Sequence, residues 1–493
     1  MPSAVELRGT FSQDTGWWDT WHVKTFGSNE PSETLSQFLE RAYQRGTVVE
    51  LGFLMSALGR QDPDKAMRYL PLVDRLILAN DRYAGTLDGL LLAVFHAKVY
   101  LDVGQPHRGF LCNRRGISLA QSMNLHRNYA KSTKRSIVWW TLYLGDRFLS
   151  LLLGLPYTIS DNHFTITLTH DPTQVGHASR AFVIHLAVAM GRVIDQVQRH
   201  DGPKLSEVLD IEDQLESLAT SKPRSWWSHS IPSVADSSVL NDLRERLICH
   251  TQYFLTKVYL HLPYLLKTAA SHLYKSSNAI ALDSARELVS RYHALRSDIH
   301  GTPVFDCQTV DFIGFMGAVV MLVGTRRGPG LPSPRDVDLV DKTIRILLQL
   351  GAIRTNHLAL QCGSTLGTLL ALCLPSRRQE SPIPPEIRIP YFGVLRVCSQ
   401  RESESSNFAA AEQQLPSPNV LSRAEDATIG ASHDEDLRDC QEGGMPTIAY
   451  QGLYSSDYAM DWTQDELYAM PDSLDFMANL DEDWESFLNS GLQ

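Results

Sequence analysis

The side chains of this chain that could do chemistry are its histidines, its cysteines and one glycine-flanked hydroxyl string. His163, His170, Asp171 and His177 bring three imidazoles and a carboxylate close together in sequence, the donor types that hold zinc or a related metal. Their spacing follows no ligand template, and seventeen histidines in 493 residues make such groupings common by chance. The string GSTLG at 363–367 is the nearest approach to a nucleophile elbow, but Thr stands at its centre where the attacking Ser would be. There is no phosphate-cradling Gly loop and no His-Glu-x-x-His pair. The seven cysteines are Cys112, Cys249, Cys307, Cys362, Cys373, Cys398 and Cys440, and the closest pair, Cys362 and Cys373, is eleven residues apart. That scatter suits neither a thiolate zinc site nor a disulfide framework, and it fits buried small apolar residues in a reducing compartment. The reading is therefore a non-enzyme without cofactor or metal. A helical small-molecule enzyme using the 163–177 histidines is the alternative, because active sites assemble in space and not in sequence.

The elements that would position any such groups are helices. SETLSQFLERAYQRG, from Ser32, offers a Ser cap and a Gly stop. Further helical patterns cover 48–58, 64–80, 134–153, 180–200, 240–260, 278–298, 309–324, 336–353 and 357–373. TLDGLLLAVFHAKVYLDVG, from Thr86, is apolar nearly all round and should be central in a bundle. Over 134–153, Ile137, Trp140, Leu144, Phe148 and Leu151 share one face, which puts Trp140 on the core stripe and Trp139 at its flank. Gly154 and Pro156 end that helix. A polar connection is expected around 222–238. Strand-like alternation is scarce, so the body is expected to be all-α. The apolar run 312–324 is too short to span a bilayer, and no membrane association is expected.

Four segments follow from composition. Residues 1–31 read as an N-terminal arm carrying Trp17, Trp18 and Trp21, docked on the body or left from a longer N-terminus. Residues 32–375 read as one multi-helix domain. Residues 376–445, rich first in Pro and then in Ser, Gln, Glu and Ala, bury too little apolar surface to offset chain entropy and read as a disordered linker. Residues 446–493 read as a disordered acidic-aromatic segment. From Asp439 onward there are twelve acids and no Lys or Arg, leaving 44 acids against 45 bases before it. The near-neutral body gives no electrostatic reason to expect strong nucleic-acid binding by itself. In the tail, like charges keep the aromatics from collapsing and leave them available to a partner groove. Trp462, Phe476, Trp484 and Phe487 are the expected anchors, and from Leu474 a helical stripe would gather Met477, Leu480, Trp484, Phe487 and Leu488. A solvating tail, or a helix docked on the body, is the alternative.

Arg115 to Asp161 is the most informative stretch. RGISLAQSMNLHRN reads as a helix ending in Leu125-His126-Arg127, followed by the basic pair Lys134 and Arg135. Then come Trp139 and Trp140, Asp146 and Arg147, Gly154, Pro156 and Asp161. This ordered set resembles the middle homology, or regulatory, domain of fungal zinc-cluster transcription factors. YLHLPYLL at 259–266 and the apolar helix at 310–324 have counterparts there too, so the resemblance spans roughly residues 35–375. The chain departs from the family pattern at Asn124, where Gly is usual, and at Ile137, Leu155 and Leu262, where Arg is usual. It also shows no pair of C-x2-C-x6-C groups, the spacing that wraps two zinc ions.

The resemblance implies a nuclear transcriptional regulator, an activator, of a fungal metabolic or secondary-metabolite pathway, touching the transcription machinery through its acidic tail. DNA would be reached through a DNA-binding partner protein, or through a zinc cluster encoded upstream; binding by this chain alone is left open. The motif residues read as structural, fixing helix register. A small-molecule effector between helices is the functional alternative for them. A scaffold without activating function is the remaining alternative for the whole.

Overall fold

A computed structural model describes residues 17–18, 21–22, 33–61, 63–164, 177–200, 202–231, 237–266, 274–299, 302–326, 332–354, 356–374, 386–389, 393–399 and 458–461. The body bears out the all-α reading. Helix α1 (Leu35–Arg45) starts at Thr34 rather than at a Ser, because Thr34 forms a reciprocal capping box with Gln37. Thr47 and Glu50 repeat that device at α2 (Val48–Gly59). Helix α3 (Pro63–Val73) runs into a π turn over Asp74–Leu78, where Ala79 N donates to Asp74 O at 2.7 Å. A single turn, α4 (Asp81–Ala84), leads to α5 (Leu87–Asp102). Leu90, Leu92, Phe95 and Val99 of α5 are fully buried, the central placement its all-round apolar sequence demands.

Helices α6 (Pro106–Ser122) and α8 (Thr133–Leu153) pack on α5 with the short α7 (Leu125–Asn128) between them. Then follow α9 (His177–Val197), α10 (Leu205–Thr220), α11 (Ser237–Leu266) and α12 (Lys275–Leu295). Helix α10 was not expected. Its apolar stripe is only Val208, Ile211 and Leu215, set among acids, yet those three residues are buried. A two-residue hairpin, β1 (Asp298–Ile299) and β2 (Thr302–Pro303), precedes α13 (Gln308–Arg326), α14 (Pro334–Arg354) and α15 (His357–Cys373). Of the arm, Trp17, Trp18 and Trp21 are buried, with rings 4.8–6.2 Å from Phe95.

A second unit spans 382–478. In it β3 (Glu386–Ile389) and β4 (Gly393–Ser399) pair antiparallel, and β5 (Tyr458–Asp461) pairs with β4. Two of these strands fall within 376–445, the segment read as a linker without structure. EIRI and GVLRVCS carry the branched residues that strands favour, but a composition taken over seventy residues averages them away. The remainder of the linker and of the acidic-aromatic segment, with Trp462, Phe476, Trp484 and Phe487, lies outside the described residues.

Candidate functional site

The motif residues come together around the end of α8 and the loop that follows it. Helix α6 stops at Ser122, earlier than the sequence pattern suggests, and Leu125-His126-Arg127 forms the separate turn α7. The break is made by Asn124, at φ 56° and ψ 30°. Asn is one of the few side chains that tolerates this left-handed conformation, so it does the work of the family's Gly. Gly154 closes α8 the same way, at φ 64°. Leu155 N then donates to Ser150 O at 2.9 Å.

The two tryptophans are both in the core, and the placement expected from periodicity is corrected. Trp139 is fully buried and Trp140 is 5% exposed. Helix α8 is covered on most sides by α5, α6 and α9, so no single stripe describes it. Phe164 stands edge-on to Trp139, Trp140 and Tyr143 at 5.3–5.8 Å. His126 sits 6.2 Å from Trp139, and its pKa is lowered by burial and then by the charge on Arg127.

Asp146 and Arg147 hold the loop after α8 from below. The Asp146 carboxylate accepts from Thr158 N at 2.9 Å and Ile159 N at 2.8 Å. Burial raises its pKa, and the two amides oppose that without overcoming it. Arg147 Nη2 donates to Ile159 O at 2.8 Å and to Asp161 at 2.7 Å. Its guanidinium lies 3.6 Å from the Tyr157 ring. Tyr143 also donates to Asp161, and Tyr157 donates to Asp195 on α9. From α6, Arg114 reaches Thr158 and the carbonyl of Pro156. A Cβ at Gly191 would stand 3.0 Å from Arg147 Nε, so any larger residue on α9 there would press on the guanidinium. Ile137, which replaces a family Arg, is buried in the core. The arrangement is a clamp: charges on one helix satisfy the backbone groups of the next loop.

Sequence reasoning missed two further polar groups. Arg296, on the residue after α12, grips Asp311 of α13 with two bonds, at 2.7 and 2.5 Å. Both side chains are 2% exposed. Arg296 also reaches Asp306 and the carbonyls of Phe305 and Cys307, while Tyr292 donates to Asp311. Arg60, the residue that follows α2, bonds Asp102 and the carbonyl of Asp306, so the N-terminal helices meet the C-terminal ones here. No sequence spacing marks such distant partners.

The second group, Ser56, His96 and Asp74, has the composition of a hydrolytic triad. Ser56 Oγ lies 2.8 Å from His96 Nδ1, and His96 Nε2 lies 3.2 Å from Asp74. Ser56 and His96 are fully buried, however, and the Ser56 hydroxyl donates to Gly52 O at 2.8 Å. A nucleophile needs that proton aimed at the imidazole and a substrate within reach. Here Ser56 receives the imidazole instead, and the trio ties α2 and α5 to the π turn.

Of the imagined metal ligands, His163 is exposed, His170 and Asp171 lie outside the described residues, and of His177 only the backbone is described. Among the described residues no three His, Cys, Asp or Glu side chains are grouped to hold a metal ion, and no helix is long and apolar enough to cross a membrane.

A helical body whose ordered motif builds a loop clamp resembles the regulatory domain of fungal transcription factors. Residues 80–183, which contain that motif, match the fungal specific transcription factor domain, so the resemblance read from the sequence is borne out. The chain is similar to the dehydrocurvularin biosynthesis regulator of Aspergillus terreus, 25% identical over 70% of this chain and 52% of that protein. It is similar to the regulator of the same name in Alternaria cinerariae, 23% identical over 70% of this chain and 50% of that protein. The transcription factor sdnS of Sordaria araneosa is 28% identical over 54% of this chain and 36% of its own length. The chain thus spans about half the length, or less, of these curated relatives. No solved structure matches with significance.

Proposed function

We propose that this chain is a nuclear transcriptional regulator that activates genes of a fungal metabolic or secondary-metabolite pathway. The observation that carries the reading is the match of residues 80–183 to the transcription factor domain, joined to relatives named as regulators of a biosynthesis. The helical body holds and tunes; the acidic-aromatic segment 446–493 engages the transcription machinery. DNA is reached through a partner protein that carries the base-reading module, or through a zinc cluster encoded upstream. A small-molecule effector, if the body has one, works only by binding one of its conformations more tightly than another.

The test has two arms. Residues 440–493 fused to an unrelated DNA-binding module should activate a reporter, and Ala at Trp462, Phe476, Trp484 and Phe487 should abolish that output. Unchanged output from the alanine variant sinks the anchor role. Deletion of the gene should lower transcripts of a co-regulated set whose promoters the full-length protein occupies in chromatin. Occupancy without any transcript change would make the chain a scaffold.

A further inference from the structure

We propose that the outer face of α3, its π turn and α6 is a docking site for an acidic amphipathic helix of a partner protein. Met67 at 69% and Leu76 at 62% are the two most exposed large apolar side chains among the described residues. They lie nine residues apart, which would part them on a regular helix. The π turn inserts one extra residue, so Met67, Pro71 and Leu76 return to one stripe. Arg115 of α6 donates to Ala79 O and to Asp81, which brings α6 alongside the end of that stripe. Leu111, 40% exposed, lies one turn before Arg115 on the same outward face.

The patch is apolar at its centre and cationic around it. Arg68 and Arg75 are exposed beside the stripe on α3 and its π turn, and Arg115 of α6, itself 46% exposed, lies at its end. The acids of the π-turn region have partners: Asp74, though 40% exposed, meets Tyr100 and His96, and Asp81 meets Arg115. Charge complementarity therefore favours an anionic occupant. Three apolar side chains at the centre disfavour nucleic acid, whose phosphates reward charge and not Met or Leu. A second copy of the chain would set arginine against arginine. A helix with apolar residues at three- and four-residue spacing and acids elsewhere satisfies both the stripe and the rim.

The experiment uses the full chain and labelled synthetic helices of about fifteen residues, read by fluorescence anisotropy. One helix carries Leu and Phe on one face with Asp and Glu elsewhere; a second substitutes Lys for every acid; a third probe is duplex DNA. The acidic helix should bind, more weakly as salt rises, and the lysine helix should not. Met67→Ser with Leu76→Ser, and separately Arg68→Glu with Arg75→Glu, should each weaken it about tenfold or more. These side chains are exposed, so circular dichroism and the melting temperature should match the parent. No binding by the acidic helix, or equal binding by either double variant, overturns the proposal. So does duplex DNA binding lost in the same variants, which would make the face a nucleic-acid contact. A dimer in sedimentation that both variants dissolve would make it a self-interface and overturn the proposal too.

Discussion

The clamp after α8 and the knot at the start of α13 solve one problem in two ways. Each fixes the connection between successive helices with buried charge. In the clamp, Asp146 and Arg147 are neighbours on one helix, yet their nearest charged atoms are 3.8 Å apart. Each instead spends itself on the loop, the acid on two amides and the base on a carbonyl and the Asp161 carboxylate. In the knot, Arg296 and Asp311 neutralise each other directly, and burial raises the Asp311 pKa against that pairing. The difference teaches where fragility sits. A buried charge satisfied by several neutral dipoles survives the loss of one neighbour. A buried charge satisfied mainly by one opposite charge does not.

The largest effect therefore falls on Arg296. Arg296→Met leaves the Asp311 carboxylate 2% exposed with only Tyr292 as a donor. The expected cost is about 3–5 kcal/mol in chemical denaturation. Adding Asp311→Asn to Arg296→Met should recover part of it, because the stranded charge is gone. A double variant as unstable as the single one would show that packing, and not charge, makes the knot fragile.

Asp146→Ala comes next. It strands the amides of Thr158 and Ile159, which have no other acceptor in the loop geometry. The expected cost is about 2–3 kcal/mol, concentrated in the loop. Amide exchange at Thr158 and Ile159 should quicken more than exchange in the core of α8. If Asp146→Ala proves costlier than Arg296→Met, the contrast between spread and concentrated neutralisation is wrong.

Legibility in the sequence follows the range of the contact. The helices showed because their apolar periodicity is local, and the Gly154 stop showed because a left-handed cap is a one-residue property. Asp146, Arg147 and Asp161 stood out because the clamp closes within fifteen residues of an ordered motif. Arg296 and Asp311 are as close in sequence, but no motif frames them. Arg60 reaches Asp306 across 246 positions, which no window spans. The Trp139 placement failed for a related reason. Periodicity finds one buried face, whereas α8 is enclosed by three helices, and enclosure is a property of the fold. Strands β3 and β4 were missed because their pattern is four to seven residues long inside a polar stretch.

The smallest effect tests the departure at Asn124. The family places Gly before Leu-His-Arg, and here the backbone still adopts φ 56°. If conformation alone selects the residue, Asn124→Gly should change stability by only a few tenths of a kcal/mol, because Gly takes the left-handed region freely. Asn124→Ala should cost about 1–2 kcal/mol, since an ordinary side chain pays for that conformation. Thermal denaturation of the two variants separates the cases. The loss should appear with little change in the Asp146 loop exchange, because Asn124 lies ten residues beyond Arg114, the α6 side chain that reaches that loop. Equal stability of the Ala and Gly variants would mean that the turn relaxes, and that Asn124 is held by something other than its backbone angle.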